Sequence, residues 1–402
     1  MAEENKTKKA RFKINWWFVA LFILGLAGLI FLLFYRLSSI MPGITANENS
    51  LYSLPLGFHG LYHEPLNLPL NILWSIVFKY LSPVSIFLLR LPDVITGATA
   101  IIAFYILLKI WFNLRTATIG TVLFATSAWT LHVSRLATLN VEYLAAITIF
   151  LLSTAIVQKK LPSRYTYWLI NLTWGMLLYV PGMVFFIGYN IFRQRLELMG
   201  GMKVQTNFWS KLAYVFSGLF WLPLLLHNFI NSPKNILSWL ALPQHFASPW
   251  HILKNFGGVF YHIFIRGPLL PDVWLGRTPI LDIFSVVAAV IGLYFYITHI
   301  KATRTHLILI SLLIGAILIA LGGSATISIV MPIIYILIAT GLAYLLSQWL
   351  NVFPKNPFAR SLGYLLIGLA ITASVVYNVR DYFVAWPHNQ ASVSVFDVKA
   401  KD

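Results

Sequence analysis

Eleven apolar stretches organise this 402-residue chain, and most approach the roughly 20 residues that a helix needs to cross a bilayer core. They fall at 16–36, 91–111, 116–133, 139–157, 164–179, 180–192, 211–229, 279–299, 305–321, 326–349 and 360–377. Hydrophobic residues make up 59% of the chain and charged residues only 10%, against about 25% charged in an ordinary soluble domain. The composition predicts an all-α polytopic integral membrane protein. There is no Cys, which excludes disulfides, thiolate catalysis and cysteine-bound zinc.

Basic residues fix the expected threading. The net charge of +17 does not point to nucleic acid, because Lys and Arg of a membrane protein gather in its inner loops. Clusters stand at 6–13, Lys109/Arg115, Lys159/Lys160/Arg164, Arg193/Arg195/Lys203/Lys211, Lys301/Arg304 and Lys355/Arg360. With a basic N-terminus (1–15) inside, eleven spans put all of them on the cytoplasmic side. The run 16–36 lacks an Ala-x-Ala cleavage site and reads as a retained anchor. The segment 66–89 carries Pro69, Pro83 and Lys79 and follows Pro65, so it is expected to lie in the outer interface rather than to cross. The spanning domain then runs over 16–377, and a short tail, 378–402, lies outside. The outer face receives loops 37–90 and 230–278. No internal repeat is visible, and no segment reads as a soluble domain.

Most chemistry-capable residues sit in those two loops. The first reads Pro42-Gly-Ile-Thr-Ala-Asn47-Glu48, then His63-Glu64-Pro-Leu. The second holds Asp272 between Arg266 and Arg277, with His245, His251 and His262 too widely spaced for a metal site. Trp239, Trp250 and Trp274 read as an interfacial belt. Glu142 is the only carboxylate well inside an expected span.

Several short motifs, taken in order, carry a resemblance. His63-Glu-Pro-Leu, Phe87-Leu-Leu-Arg90-Leu-Pro, Ser127-Ala-Trp-Thr-Leu-His132-Val-Ser-Arg135, Phe264-Ile-Arg266-Gly, Arg277-Thr-Pro-Ile-Leu-Asp282 and Arg380-Asp-Tyr-Phe-Val-Ala-Trp386-Pro together span most of the chain. The chain resembles the membrane-embedded C-type (GT-C fold) glycosyltransferases, in the bacterial branch related to protein O-mannosyltransferases and aminoarabinose transferases. The resemblance implies a GT-C bundle with an interfacial helix in its first outer loop, in a bacterial plasma membrane. It also implies a polyprenyl-phosphate sugar donor and transfer, with inversion, to an acceptor hydroxyl or amine on a glycan, lipid or protein outside. Such transfer needs a base for the acceptor proton and cations for the departing phosphate.

The family places its base in an Asp-Glu pair at the start of the first outer loop, and this chain has Asn47-Glu48 there. Asn cannot titrate, so either Glu48 takes the role or the chain has lost it; as a loop carboxylate Glu48 could equally cap a helix. A second acidic position of relatives is Asn140 here, and Glu142, two residues on, points about 200° away from it on a helix. Arg135 is a candidate phosphate clamp, or else snorkels to headgroups. Arg266 and Arg277 are candidates for the same phosphate. His63 and Glu64 could orient a substrate or tie the loop to the interfacial helix. A divalent ion held by Glu48, Glu64 and the donor phosphate fits the same loop. Three function classes follow: an active transferase with Glu48 as base, a silent transferase-fold subunit of an envelope complex, and a lipid or solute transporter. The last lacks repeats and mid-membrane charge.

Overall fold

The structure, a computed structural model, describes residues 16–51, 65–81, 85–159, 166–204, 212, 218–219, 221–226 and 234–396. Its described residues form helices and connecting turns. Five helices are long and apolar enough to cross a membrane: Ile86–Trp111, Asn140–Gln158, Thr303–Leu321, Met331–Val352 and Pro357–His388. The shorter apolar helices Ile23–Phe34, Leu68–Leu81 and Ile283–Thr298 accompany them. The protein is therefore a multi-pass helical membrane protein.

Two helices form the centre. Asn140–Gln158 is buried on nearly every side, and Met331 through Leu342 are buried without a break. A helix apolar all round has to sit inside a bundle or a membrane. Small residues let the backbones close up, since van der Waals packing must replace the missing hydrophobic drive. A Cβ at Gly292 would run into the Leu337 carbonyl, and one at Gly341 into the Ala288 carbonyl. These glycines set the seam between Ile283–Thr298 and Met331–Val352. Phe104, Phe124 and Tyr335 fill the space beside it, with ring centroids 4.4 and 5.4 Å apart along the row.

Local signals start and stop the elements. Asn113, Ser248, Asp282 and Asn356 each cap a helix N-terminus with their side chains, as short polar residues do. Gly322 ends Thr303–Leu321 in the left-handed conformation, φ 76°. The expected hairpin at 164–192 appears as Thr166–Leu177 and Met183–Val204. Gly182 turns it, and its N–H donates to Trp239 O at 2.8 Å.

The structure corrects four sequence expectations. The span 116–133 is two helices, Leu114–Thr126 and Ala128–Arg135, because Ser127 leaves helical geometry (ψ 137°) to cap the second with its hydroxyl. The interfacial helix stops at Leu81, and residues from Ile86 onward already belong to the long helix Ile86–Trp111. The second outer loop contains a sixteen-residue helix, Pro249–Phe264, that ties to Thr303–Leu321 through Asn255 Nδ2 on Ala320 O at 3.2 Å. Its Ser248-Pro249 start, followed by apolar positions 252, 256, 259, 260 and 263, is the signal that identifies it. Finally, Trp239 and Trp274 are buried, and of the three belt tryptophans only Trp250 is exposed.

Candidate functional site

The site begins where the first helix ends. Carbonyls at a helix C-terminus lack intrahelical partners, and two arginines supply them. Arg135, at the end of Ala128–Arg135, donates from Nη2 to Tyr35 O. Arg90, in the first turns of Ile86–Trp111, donates from Nη1 to Leu37 O (3.0 Å) and from Nη2 to Gly43 O (3.4 Å).

Glu48 meets Arg90 in the same place. Arg90 Nε reaches Oε1 at 2.7 Å and Nη2 reaches Oε2 at 3.0 Å, and both residues are 0% exposed. The carboxylate is held from two more sides. Thr45 N donates to Oε2 and Ala137 N to Oε1, at 3.0 and 3.2 Å. Thr45 completes a capping box by accepting from Glu48 N through its hydroxyl. Four donors therefore surround two oxygens. Asn47, one residue earlier, is exposed.

One helical turn along, Asp93 is also fully buried and links two elements. It accepts from Trp74 Nε1 of the interfacial helix and from Thr138 N, both at 3.0 Å. Asp93 joins Glu142 as a second carboxylate buried in a spanning helix. Asn140 stands at the first position of Asn140–Gln158 and is half-buried. Glu142 is buried in that helix's first turn.

The third component is an aromatic and cationic cluster. His132 makes edge-to-face contacts with Trp274 (5.4 Å), Tyr382 (4.6 Å) and Trp386 (4.4 Å). The Arg135 guanidinium lies over the rings of Tyr382 at 5.0 Å and Phe383 at 4.8 Å. Arg90 lies 5.9 Å from Phe396. The C-terminal segment 381–396 thus folds back over both arginines. Its Trp386 Nε1 donates to Pro271 O at 3.3 Å, joining the tail to the second outer loop. Within this cluster Arg135 Nε and Nη1, both His132 ring nitrogens, Ser134 Oγ and Tyr382 Oη are buried without a hydrogen-bond partner among the described residues. A buried guanidinium with two nitrogens lacking acceptors is costly, and each such group calls for an explanation, such as a water or an ion bound there.

The loop 267–278 closes on itself. Gly267 N donates to Arg277 O and Thr278 O at 3.2 and 3.1 Å, and Trp274 Nε1 donates to Thr278 O at 2.7 Å. A side chain at Gly267 would collide with Thr278 O and Trp274. Arg266 and Arg277 therefore stand side by side at the neck, both exposed, while Asp272 lies half-buried inside the loop. Burial raises the Asp272 carboxyl above the ordinary aspartate range, and the Glu48 charge adds to the effect. Asp272 is thus within electrostatic reach of Glu48.

Compared with solved structures, the chain is similar to ArnT from Cupriavidus metallidurans. The apo form aligns at TM-score 0.55 and 12% identity over 94% of this chain and 76% of that one. The form bound to undecaprenyl phosphate aligns at TM-score 0.54 and 12% identity, over 94% and 77%. The Archaeoglobus fulgidus oligosaccharyltransferase, tethered to an acceptor peptide containing the NVT sequon, aligns at 0.52 and 14% identity, over 97% and 56%. The fold is that of the GT-C glycosyltransferases. No family model and no curated protein matches at the level of sequence.

On this GT-C frame, Glu48, Arg135 and Asp272 come to one region, whereas Arg266 and Arg277 hold the neck of the second loop. His63 and Glu64 lie outside the described residues. Among the described residues no three His, Asp or Glu side chains group closely enough to hold a metal ion. The four N–H donors on Glu48 leave its oxygens poorly placed to take one. Arg90, Asp93, Tyr382 and Trp386 are missing from the residues expected of the site. Arg90 carries a sequence signal: a lone arginine near the start of a long apolar helix, with Asp93 at i+3, has to find buried partners. Tyr382 and Trp386 carry none, because their role depends on the tail folding back.

Proposed function

We propose that this protein is a glycosyltransferase that takes a sugar from a polyprenyl-phosphate donor and passes it to an acceptor outside the plasma membrane, with its N-terminus cytoplasmic. The observation that carries the reading is Arg135. Its guanidinium is enclosed, has two nitrogens without acceptors among the described residues, and sits beside a Tyr382 hydroxyl equally without a partner there. A departing phosphate monoester would satisfy all three groups through short, charge-assisted hydrogen bonds. The bundle's apolar flanks suit a polyprenyl chain, and a solved structure of the same fold carries undecaprenyl phosphate. In this reading the turn Tyr382–Phe383, which covers the guanidinium, swings aside to admit the donor. Arg266 and Arg277, exposed at the outer face, draw the anionic headgroup towards the site.

Glu48 is engaged on all sides, and we assign it to holding Arg90 and the first loop in place. A second reading, a catalytically silent subunit, draws support from Asn47 at the family's acidic position. Reconstituted protein supplied with radiolabelled undecaprenyl-phosphate hexoses and crude membrane acceptors separates the two readings. Transfer supports the enzyme; donor binding without turnover supports the silent subunit.

A further inference from the structure

Acid–base catalysis of sugar transfer needs one carboxylate with a free lone pair that an acceptor can reach. The described carboxylates can be examined one at a time. Glu48 is 0% exposed, and four N–H donors occupy its oxygens. Asp93 is 0% exposed and holds Trp74 and Thr138. Both Glu142 oxygens lack a hydrogen-bond partner among the described residues, but at 3% exposure the carboxyl is sealed in the first turn of its helix, away from an entering acceptor. Asp282 caps its helix through Ser285 N and Oγ, and its Oδ2 also accepts from Ser374 Oγ and Asn378 Nδ2. Asp381 is buried at 8% exposure and lies near Tyr377. Asp272 is different. It is half-buried, so one side meets solvent, and its carboxyl meets the backbone N–H groups of Asp272 and Val273 but no side-chain hydrogen bond among the described residues.

Its position is fixed by neighbours on both sides. Pro271 O is held by Trp386, and Trp274 packs on His132. His132 and Arg135 are three residues apart and share a helix face, so the loop docks on the turn that presents the guanidinium. The loop itself is locked by Gly267 and by the Trp274–Thr278 bond. A base on a pre-set loop that packs, through Trp274 and His132, against the helix carrying Arg135 is what an in-line displacement requires.

We propose that Asp272 is the general base of this transferase, taking the place that Asn47 leaves without a titratable group. This inference rests on the lipid-phosphate reading above. In the step, the Asp272 carboxylate takes the proton from the acceptor O–H or N–H. The acceptor's lone pair forms the new bond to the sugar's anomeric carbon. The bond from that carbon to the phosphate oxygen breaks, and its electron pair leaves with polyprenyl phosphate, held by Arg135. Asp272 then returns its proton to water. Water itself can act as the acceptor, so slow donor hydrolysis reads out the same base.

The test compares wild type with Asp272→Asn, Asp272→Glu, Asp381→Asn and Glu64→Gln, all reconstituted in nanodiscs. Undecaprenyl phosphate binding is measured separately from hydrolysis and transfer of undecaprenyl-phosphate mannose and glucose. The expected result is that Asp272→Asn lowers kcat about 100-fold or more with undecaprenyl phosphate affinity unchanged, and Asp272→Glu recovers part of it. The Asp272 carboxyl is met only by backbone N–H groups of its own loop, so the Asp272→Asn and Asp272→Glu variants should fold, and the binding measurement verifies this. A wild-type rate in Asp272→Asn overturns the assignment, as does an equal loss in Glu64→Gln or Asp381→Asn without loss in Asp272→Asn. A wild type that binds undecaprenyl phosphate but turns over neither donor overturns the base while the lipid-phosphate site stands. A wild type that does not bind it overturns both.

Discussion

Glu48 and Arg90 meet at 2.7 Å across forty-two residues of sequence, and neither side chain is exposed. The pair joins the first outer loop to the start of a spanning helix, and Ala137 N adds the turn that follows Arg135. Three segments thus share one ion pair, so its loss should loosen the whole site.

Breaking that pair from one side leaves a buried charge without compensation, which costs about 3–5 kcal/mol. We expect Glu48→Gln or Arg90→Met to lower the thermal midpoint of the protein in detergent. The double variant Glu48→Gln/Arg90→Met should lose much less than the two losses added together, and a double-mutant cycle measures the coupling directly. Simple additivity would show that the pair contributes no specific coupling.

Arg135 should act on the donor and less on the fold. Arg135→Lys keeps a positive charge but loses the planar fork that suits phosphate oxygens. The expected effect is a drop in undecaprenyl phosphate affinity of about tenfold, the equivalent of 1.4 kcal/mol. Arg135→Met should weaken it further, and titration in nanodiscs provides the check. Unchanged affinity in both variants would move the phosphate elsewhere, with Arg266 and Arg277 the next to substitute.

Trp74→Phe isolates the latch between the interfacial helix and Asp93. It removes one N–H donor from a buried carboxylate while keeping most of the ring, and should cost about 1–3 kcal/mol. The helix Leu68–Leu81 would then open more readily, so limited proteolysis of the first loop should quicken. An unchanged cleavage rate would mean that packing alone holds this helix.

The acid limb of the pH–rate profile reports the base. A base works deprotonated, and burial and the facing Glu48 both raise the Asp272 carboxyl. Arg266 and Arg277 stand at the neck of the same loop. Activity should therefore fall, as pH drops, at a value above the ordinary aspartate range. Asp272→Asn should flatten that limb in whatever residual rate remains.

The helical membrane class and several of the spans were legible because long apolar runs are one-dimensional signals that the bilayer itself imposes. The break at Ser127 was not, since a buried serine turning a helix looks like any polar residue within an apolar run; its cause is the cap it forms and the Asn378 side chain that accepts from Ala128 N. The Glu48 motif was readable as chemistry but not as geometry. Thr45-Ala-Asn-Glu48 is a capping-box sequence, yet whether its carboxylate faces solvent or a buried arginine depends on a helix that begins about forty residues later. Tyr382 and Trp386 illustrate the same limit, since their place over Arg135 and His132 is set by the return of a tail that carries no periodic signal.

The most direct measurement is turnover of undecaprenyl-phosphate mannose and glucose by the purified, reconstituted protein, with free undecaprenyl phosphate as the detected product. The account predicts product from wild type, a strong loss in Arg135→Met, and a lower rate in Asp272→Asn with donor affinity preserved. Protein that is folded, binds no undecaprenyl phosphate and releases none from either donor would contradict it.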